Sequence, residues 1–312
     1  MLRFARLVEH PRTLCRMTSV TVEQCQTLTA CLLPLWEHAE RERLSRRRRR
    51  HAIGQGRKYK LATLADKRLV PLVFSRFALT DALLGWLVGL DASNVCRLLQ
   101  RLEPLLEQAA DPTLGLPLRR RLPPGAKQSG TWEELVQVCP EFAEVLTDAT
   151  EQPRQRPPRR SQRRWYSGKR KRPTVKTQVP VTRRGRILAV SRSVPGRVHD
   201  DALLQQAGTA RGLPLASRHD LDLGDEGAPG DSPRSAFLLP VKRRRNQRLL
   251  TRAERRFNRV HARLRILVEH VFSRLKTSAI LVQVYRHRIA DDHRRFRNGA
   301  ALVNVRLATA AG

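Results

Sequence analysis

The strongest constraint on this chain is a run near its C-terminus, NRVHARLRILVEHVFSRLK, residues 258–276. Leu264, Val268, Val271 and Leu275 recur at intervals of four, three and four, the spacing of a single apolar stripe on an α-helix. Such a helix has to dock on a core. At about 100° per residue, Arg265, Glu269 and Lys276 fall within about 40° of one another, about 90–130° from the centre of the stripe. That arc looks into a cleft beside the core. Glu269 is one carboxylate among cations, placed to ligate a hard cation while Arg265 and Lys276 hold phosphate. Taken alone, the run also reads as an ordinary amphipathic helix with a salt bridge, the commoner case, because Lys and Arg make up 61 of the 312 residues.

The rest of the chain supplies the context. Its net charge is +33 and its pI near 11.6, with 52 Arg against 9 Lys. A field of that sign attracts a polyanion, and the guanidinium fork matches phosphate; nucleic acid is the expected partner and a membrane is not. No apolar run approaches the roughly 18 residues of a membrane span, the longest candidate being residues 82–90. No secretory signal is apparent at the N-terminus. Cys15, Cys25, Cys31, Cys96 and Cys139 form neither a CxxC pair nor a zinc spacing, and read as reduced packing residues. The expected location is cytoplasmic and nucleoid-associated.

A length of 312 residues suits two domains. Residues 1–19 form an apolar-basic tail. A helix is expected over 20–43, with Leu28, Cys31, Leu32 and Leu35 on one side. Five arginines at 46–50 precede Gly54 and Gly56 beside Arg57, Lys58 and Lys60, which suits a loop on a phosphate backbone. Residues 60–110 read as helical. Within them, 80–89 and 93–106 are two helices separated by the turn 90–92, Ser93 being the expected N-cap. Asn94, Arg97 and Arg101 project from the second helix, so the pair matches a DNA-reading helix-turn-helix as well as a plain helical hairpin. Residues 20–110 therefore form a helical DNA-binding domain, and the Pro/Gly/Arg-rich residues 111–140 a linker with a short helix at 132–139.

From Phe142 the periodicity changes. FAEVLTDAT reads as a strand ending in Asp148, followed by a long basic loop in which Trp165 and Tyr166 stand among Lys169, Lys171 and several arginines, the interleaving that suits unpaired or distorted DNA. Strands follow at 174–182 and 186–194 around an RRG hairpin turn, then a short helix over 198–207 and strands at 213–223 and 236–241. Thr251 caps the long helix with Glu254 at the capping-box position, and a last helix covers 289–308. This order gives an α/β domain over 141–308 with a mixed five-stranded sheet. In a ribonuclease-H-like arrangement its first and fourth strands are neighbours. Asp148, Asp222 and Glu269 then converge although they lie 74 and 47 positions apart.

The motifs resemble those of bacterial insertion-sequence transposases of the DDE superfamily, in the group akin to eukaryotic PIF/Harbinger elements. DATEQPRQRPP resembles the first-aspartate segment, WYSGKRKRPTVKTQV the Y-Y-S-G-K signature, and RILAVSRSVPGRVHDDALL the strand and P-G-x-x-H-D after it. DLGDEG resembles the second-aspartate D-x-G-Y-x-G, and Arg265, Glu269 and Lys276 match R-(3)-E-(6)-K. The chain departs from the pattern at Pro173 (usually His), Asp225 (usually Tyr) and Ala262 (often Tyr).

The resemblance implies a transposase that binds the terminal inverted repeats of its element and performs cleavage and strand transfer. Asp148 would bridge two divalent ions, Mg²⁺ or Mn²⁺, with Asp222 and Glu269 ligating one each. It further implies double-stranded DNA partners, at the element ends and the target, and at least a homodimer. Two alternatives stay open: a catalytically decayed DNA-binding repressor, and a nuclease that cuts without joining.

Overall fold

The computed structural model describes residues 1–46, 59–110, 145–200, 202–203, 218–219, 241 and 249–310. The Gly54–Gly56 loop, the 111–140 linker with its expected helix, and most of the strands expected at 213–223 and 236–241 lie outside the described residues. Two compact units emerge. One gathers Met1–Pro112, Lys276–Gln283 and Arg294–Gly312; the other spans Thr113–Leu275 and Val284–His293.

The first unit is helical. Helices α1 (Phe4–Val8) and α2 (Pro11–Thr18) occupy the stretch expected to be a tail. Pro11 stands at the first turn of α2, where its missing N–H costs nothing. Leu7 and Leu14 are buried with Val20, Cys25, Leu69 and Leu72 in one apolar cluster. Helix α3 (Val22–Ser45) starts on a reciprocal capping box: Gln24 N–H donates to Thr21 Oγ1 and Thr21 N–H to Gln24 Oε1. Its inward side is Cys25, Leu32 and Trp36, whereas Cys31 points outward. Among the described cysteines only Cys25 is buried, and burial pushes its thiol pKa up.

Helix α4 (Leu64–Phe77) is followed by α5 (Asp81–Val88) and α6 (Ala92–Ala110), the last two crossing at 95°. Helix α6 starts one residue ahead of Ser93: Asn94 and Val95 donate back to the Asp91 carbonyl. Three residues make the turn, and two glycines shape it. Gly89 has φ of +79°, the left-handed cap that favours glycine. A Cβ on Gly85 would stand 2.3 Å from the Leu90 carbonyl oxygen. The final helix, α9 (Ile289–Ala310), begins in the other unit, but from Arg294 onward it groups with these helices. Arg295 meets Glu103 at 3.0 Å, and Arg294 and Arg297 meet Glu107 at 3.2 and 3.3 Å.

The second unit is α/β. Strand β1 (Val145–Pro153) pairs antiparallel with β3 (Arg172–Thr182) over nine residues, from Val145↔Thr182 to Pro153↔Thr174. Between them in sequence lie α7 (Arg159–Trp165) and β2 (Tyr166–Ser167), which pairs with β3. The path of the mixed sheet is β2-β3-β1-β5, where β5 (Arg218–His219) runs parallel to β1 and the two-residue β4 (Val194–Pro195) also pairs β3. This is an α/β fold with a mixed sheet and flanking helices.

Three expectations are corrected here. Asp148 does not end its strand, because β3 supplies partners as far as Pro153. The basic segment after it is not one loop, since it holds α7, β2 and the start of β3. Residues 186–194 form no regular strand. Pro180 accepts from Leu188 N–H at 2.9 Å but has no N–H to return, and Gln178 N–H turns to the Ser191 hydroxyl. The register then slips. Thr182, Pro180, Gln178 and Lys176 face Arg186, Leu188, Ser191 and Val194, so two extra residues bulge out along the way.

Helix α8 (Arg252–Leu275) packs on β1. Its capping box is formed: Glu254 N–H donates to Thr251 Oγ1 at 3.1 Å and Thr251 N–H to Glu254 Oε2 at 2.7 Å. Val268, Val271, Phe272 and Leu275 are buried.

Helix propensity alone favours Ala over Gly at position 85 by about 1 kcal/mol. The backbone contact at 2.3 Å opposes it, and overpacking typically costs about 1–3 kcal/mol. Gly85→Ala is expected to lower stability by up to about 2 kcal/mol in urea unfolding; a stabilised variant would show that the α5–α6 turn opens freely.

Candidate active site and nucleic-acid interface

Strand pairing decides which groups share a face, because directly opposed residues of an antiparallel pair point the same way and neighbours alternate. Asp148 is opposed to Val179 and Glu151 to Lys176. Asp148 and Glu151 are three apart on one strand, so they lie on opposite faces of the sheet.

The Glu151 face carries a buried ion cluster. Lys176 Nζ lies 2.7 Å from Asp200 Oδ1 and 3.5 Å from Glu151 Oε1, and donates to the Val198 carbonyl at 2.9 Å. Thr174 Oγ1 donates to Glu151 Oε2 at 2.8 Å. The side chains of Lys176 and Glu151 are only 9 and 7 % exposed. Glu151, Lys176 and Asp200 come from three of the sequence motifs, so those motifs meet in a structural clamp. Beyond their place in the motifs, Glu151 and Lys176 carry no signal in the sequence that marks them.

Asp148 is half-buried on the other face, and its Oδ1 accepts the Ala149 N–H at 2.7 Å. Glu269 is on α8, the helix that packs on β1. Its side chain is 57 % exposed and meets Arg265 Nε at 3.3 Å, one turn back. Lys276 is exposed and follows the last residue of α8. Asp222 and Asp225 lie outside the described residues; Ala262 is exposed on α8 and Pro173 is half-buried near the start of β3. Among the described residues no three His, Cys, Asp or Glu side chains are grouped to hold a metal ion. The donors in hand, carboxylates Asp148 and Glu269 without a soft ligand, have the chemistry of a hard divalent cation.

The expected DNA-contacting residues divide. Asn94 and Arg97 are exposed on the first turns of α6, Arg97 donating to Asn94 Oδ1 and Asn94 to Asp91 Oδ2, each at 3.3 Å. Arg101 is turned inward instead. Its guanidinium pairs with Glu40 and stacks 4.6 Å from the Trp36 ring centre, and burial lowers its pKa. Trp165 is half-buried under the Arg154 guanidinium, 3.9 Å from its ring centre. Arg154 is held in place by the backbone: its N–H donates to Pro173, and Tyr285 bonds the flanking Pro153 and Gln155. Trp165 is thus partly a packing residue. Tyr166, Lys169 and Lys171 are exposed, and the tight turn between β2 and β3 sets Lys171 at φ +53°.

Comparison with known proteins follows the same lines. Residues 147–304 match the family model described as DDE superfamily endonuclease. The chain is 31 % identical over 242 residues to a probable transposase for insertion sequence element IS702 from Microchaete diplosiphon, covering 77 % of this chain and 78 % of the relative. No solved structure matches. The chain belongs to the DDE superfamily of endonucleases, and it is related to bacterial transposases of this kind. Among the described residues no single helix is long and apolar enough to cross a membrane.

Removing one partner of a buried ion pair strands the others, typically at about 3–5 kcal/mol. Lys176→Met is expected to destabilise the protein by about that amount in urea unfolding, whereas Lys169→Met, on the surface, changes the midpoint little. Equal midpoints for the two variants would remove the clamp.

Proposed function

We propose that the protein is a DNA transposase that binds the ends of its element and cleaves and joins strands with a carboxylate site of Asp148, Asp222 and Glu269. The observation that carries this reading is the packing of α8 on β1, which brings an acid-bearing helix onto an acid-bearing strand in a chain of the DDE family. The parallel pairing of β5 with β1 supports a ribonuclease-H-like sheet, and Asp222 follows β5 by three positions in the sequence.

Asp148, Asp222 and Glu269 would hold two divalent ions, Mg²⁺ or Mn²⁺. Such ions supply Lewis acidity to the attacking and leaving oxygens of a phosphodiester. The side chains of this chain position the DNA. Arg265 and Lys276 contact phosphates near the cut, Arg265 by exchanging its exposed pairing with Glu269 for a phosphate oxygen. Lys169, Lys171, Trp165 and Tyr166 line the approach. Helices α5 and α6, crossing at 95° over a three-residue turn, act as a helix-turn-helix that places Asn94 and Arg97 against duplex DNA. Arg101 supports α6 from behind rather than reading bases. Paired ends require two copies of the chain, a homodimer on DNA, in the cytoplasm at the nucleoid.

The test is Mg²⁺-dependent nicking and joining on a plasmid carrying the cognate inverted repeat. Asp148→Asn and Glu269→Gln are expected to lower cleavage by more than about 100-fold, beyond what loss of an outer-shell partner costs, while footprints on the ends persist. Full cleavage by either variant would remove that residue from the site. Wild-type footprints without cleavage would identify a repressor, and cleavage without joined products a nuclease.

A further inference from the structure

We propose that an open cleft on the α/β unit, beside α7 and the β2–β3 turn, seats an unpaired DNA strand. The cleft has a volume of about 940 Å³ and is lined by Arg156, Arg159, Arg163, Lys171, Arg172 and Arg197. All six cations are exposed. No carboxylate is among the described residues that line it, and none of the six makes an ion pair with a described acid. In the same unit Lys176 and Arg265 are each paired. The cleft therefore concentrates positive charge that no described acid offsets, the field that a run of phosphates satisfies.

A single aromatic decides between strand and duplex. Tyr166 lines the cleft and is 45 % exposed, although an aromatic ring normally gains by burial. A ring presented among cations is complementary to a base whose face is open. In a duplex the base faces are covered by their neighbours, whereas in an unpaired strand each one can stack, at about 1–3 kcal/mol per base. The backbone holds this geometry: Lys171 N–H donates to the Ser167 carbonyl and Arg170 N–H to Ser167 Oγ, at 2.8 and 3.1 Å. The volume is at the upper end of small-ligand pockets, and the opening lets a chain run through.

The inference rests on the transposase reading for the source of the strand, the unpaired flank beside a cut, and it is tested apart from catalysis. Binding of the full-length protein to a 12-nucleotide single strand and to the matching duplex is measured by anisotropy in EDTA over a range of salt. The triple variant Arg159→Ser/Arg163→Ser/Arg197→Ser is expected to weaken single-strand binding and lower its salt slope by about 2, at about 0.7 per phosphate contact. Tyr166→Ala is expected to weaken single-strand binding about tenfold with a smaller loss on duplex, and Tyr166→Phe to restore it.

Several outcomes overturn the cleft: a wild type that binds no single strand, an unchanged triple variant, or an equal loss on duplex for Tyr166→Ala. A bromodeoxyuridine-substituted strand that crosslinks only outside residues 156–173 and Arg197 does so as well. Weakened single-strand binding in the variants of a wild type that never cuts DNA would refute transposition and leave the cleft standing.

Discussion

The nine-residue register between β1 and β3 is the constraint on which the rest of the α/β unit depends. It sorts the acids of the first motif onto two faces of one sheet. Glu151 goes to the face where Lys176 and Asp200 close a buried cluster, and Asp148 to the face that keeps its carboxylate half-open. A one-residue slip would exchange the two. It would leave Lys176 buried without its Glu151 partner, an expensive state. The clamp therefore does more than add stability, because it makes the wrong register costly and so fixes which acid lies on which face.

Scarcity of acid shapes the helical unit in a related way. The chain has 28 carboxylates against 61 cations, so an acid is a limiting partner. Glu40, Glu103 and Glu107 each meet arginine, and Glu103 is buried. These pairs tie α6 to the last helix and to α3. Arg68 is buried without a described acid beside it, but many of the other described cations lie on surfaces, and their distribution is uneven. Six of them crowd one cleft in the α/β unit. A basic chain that uses its few acids internally exposes the remainder of its charge to whatever polyanion it meets.

Much of this was legible in residue spacing, and the losses have identifiable causes. The four-three-four stripe and the Thr251/Glu254 capping box gave α8 to within a few residues, since both signals are local. Helix α7 was invisible because RRSQRRW has no apolar stripe and buries no side chain; it is shaped by the strands around it. Strand-like residues 186–194 failed as a strand because of a residue on the partner, Pro180, whose effect appears only once the pairing is known. Arg101 misled for a geometric reason. On α6 it lies about 110° from the centre of the buried stripe, against about 150° for Arg97, near enough to bend its long stem back to Glu40 and Trp36. Of the candidate site, Asp148 and Glu269 are on the elements expected, and Asp222 is outside the described residues.

The two described acids are held in different ways, and the difference bears on what each can do. Asp148 is fixed by a strand paired on both sides, with β3 and β5, so its position follows from the backbone. Glu269 sits on a helix anchored by Val268, Val271, Phe272 and Leu275, with its own side chain in solvent. Among the described residues its side chain is tied by the i,i+4 contact with Arg265, and exposed pairs of that kind contribute about 0.3–0.5 kcal/mol. The helix is thus strongly held and the carboxylate weakly held. A cation or a phosphate entering beside β1 can exchange for that contact at little cost, while the buried stripe keeps the helix from following. An acid that has to change partners during a reaction needs this combination: a fixed Cα and a replaceable neighbour.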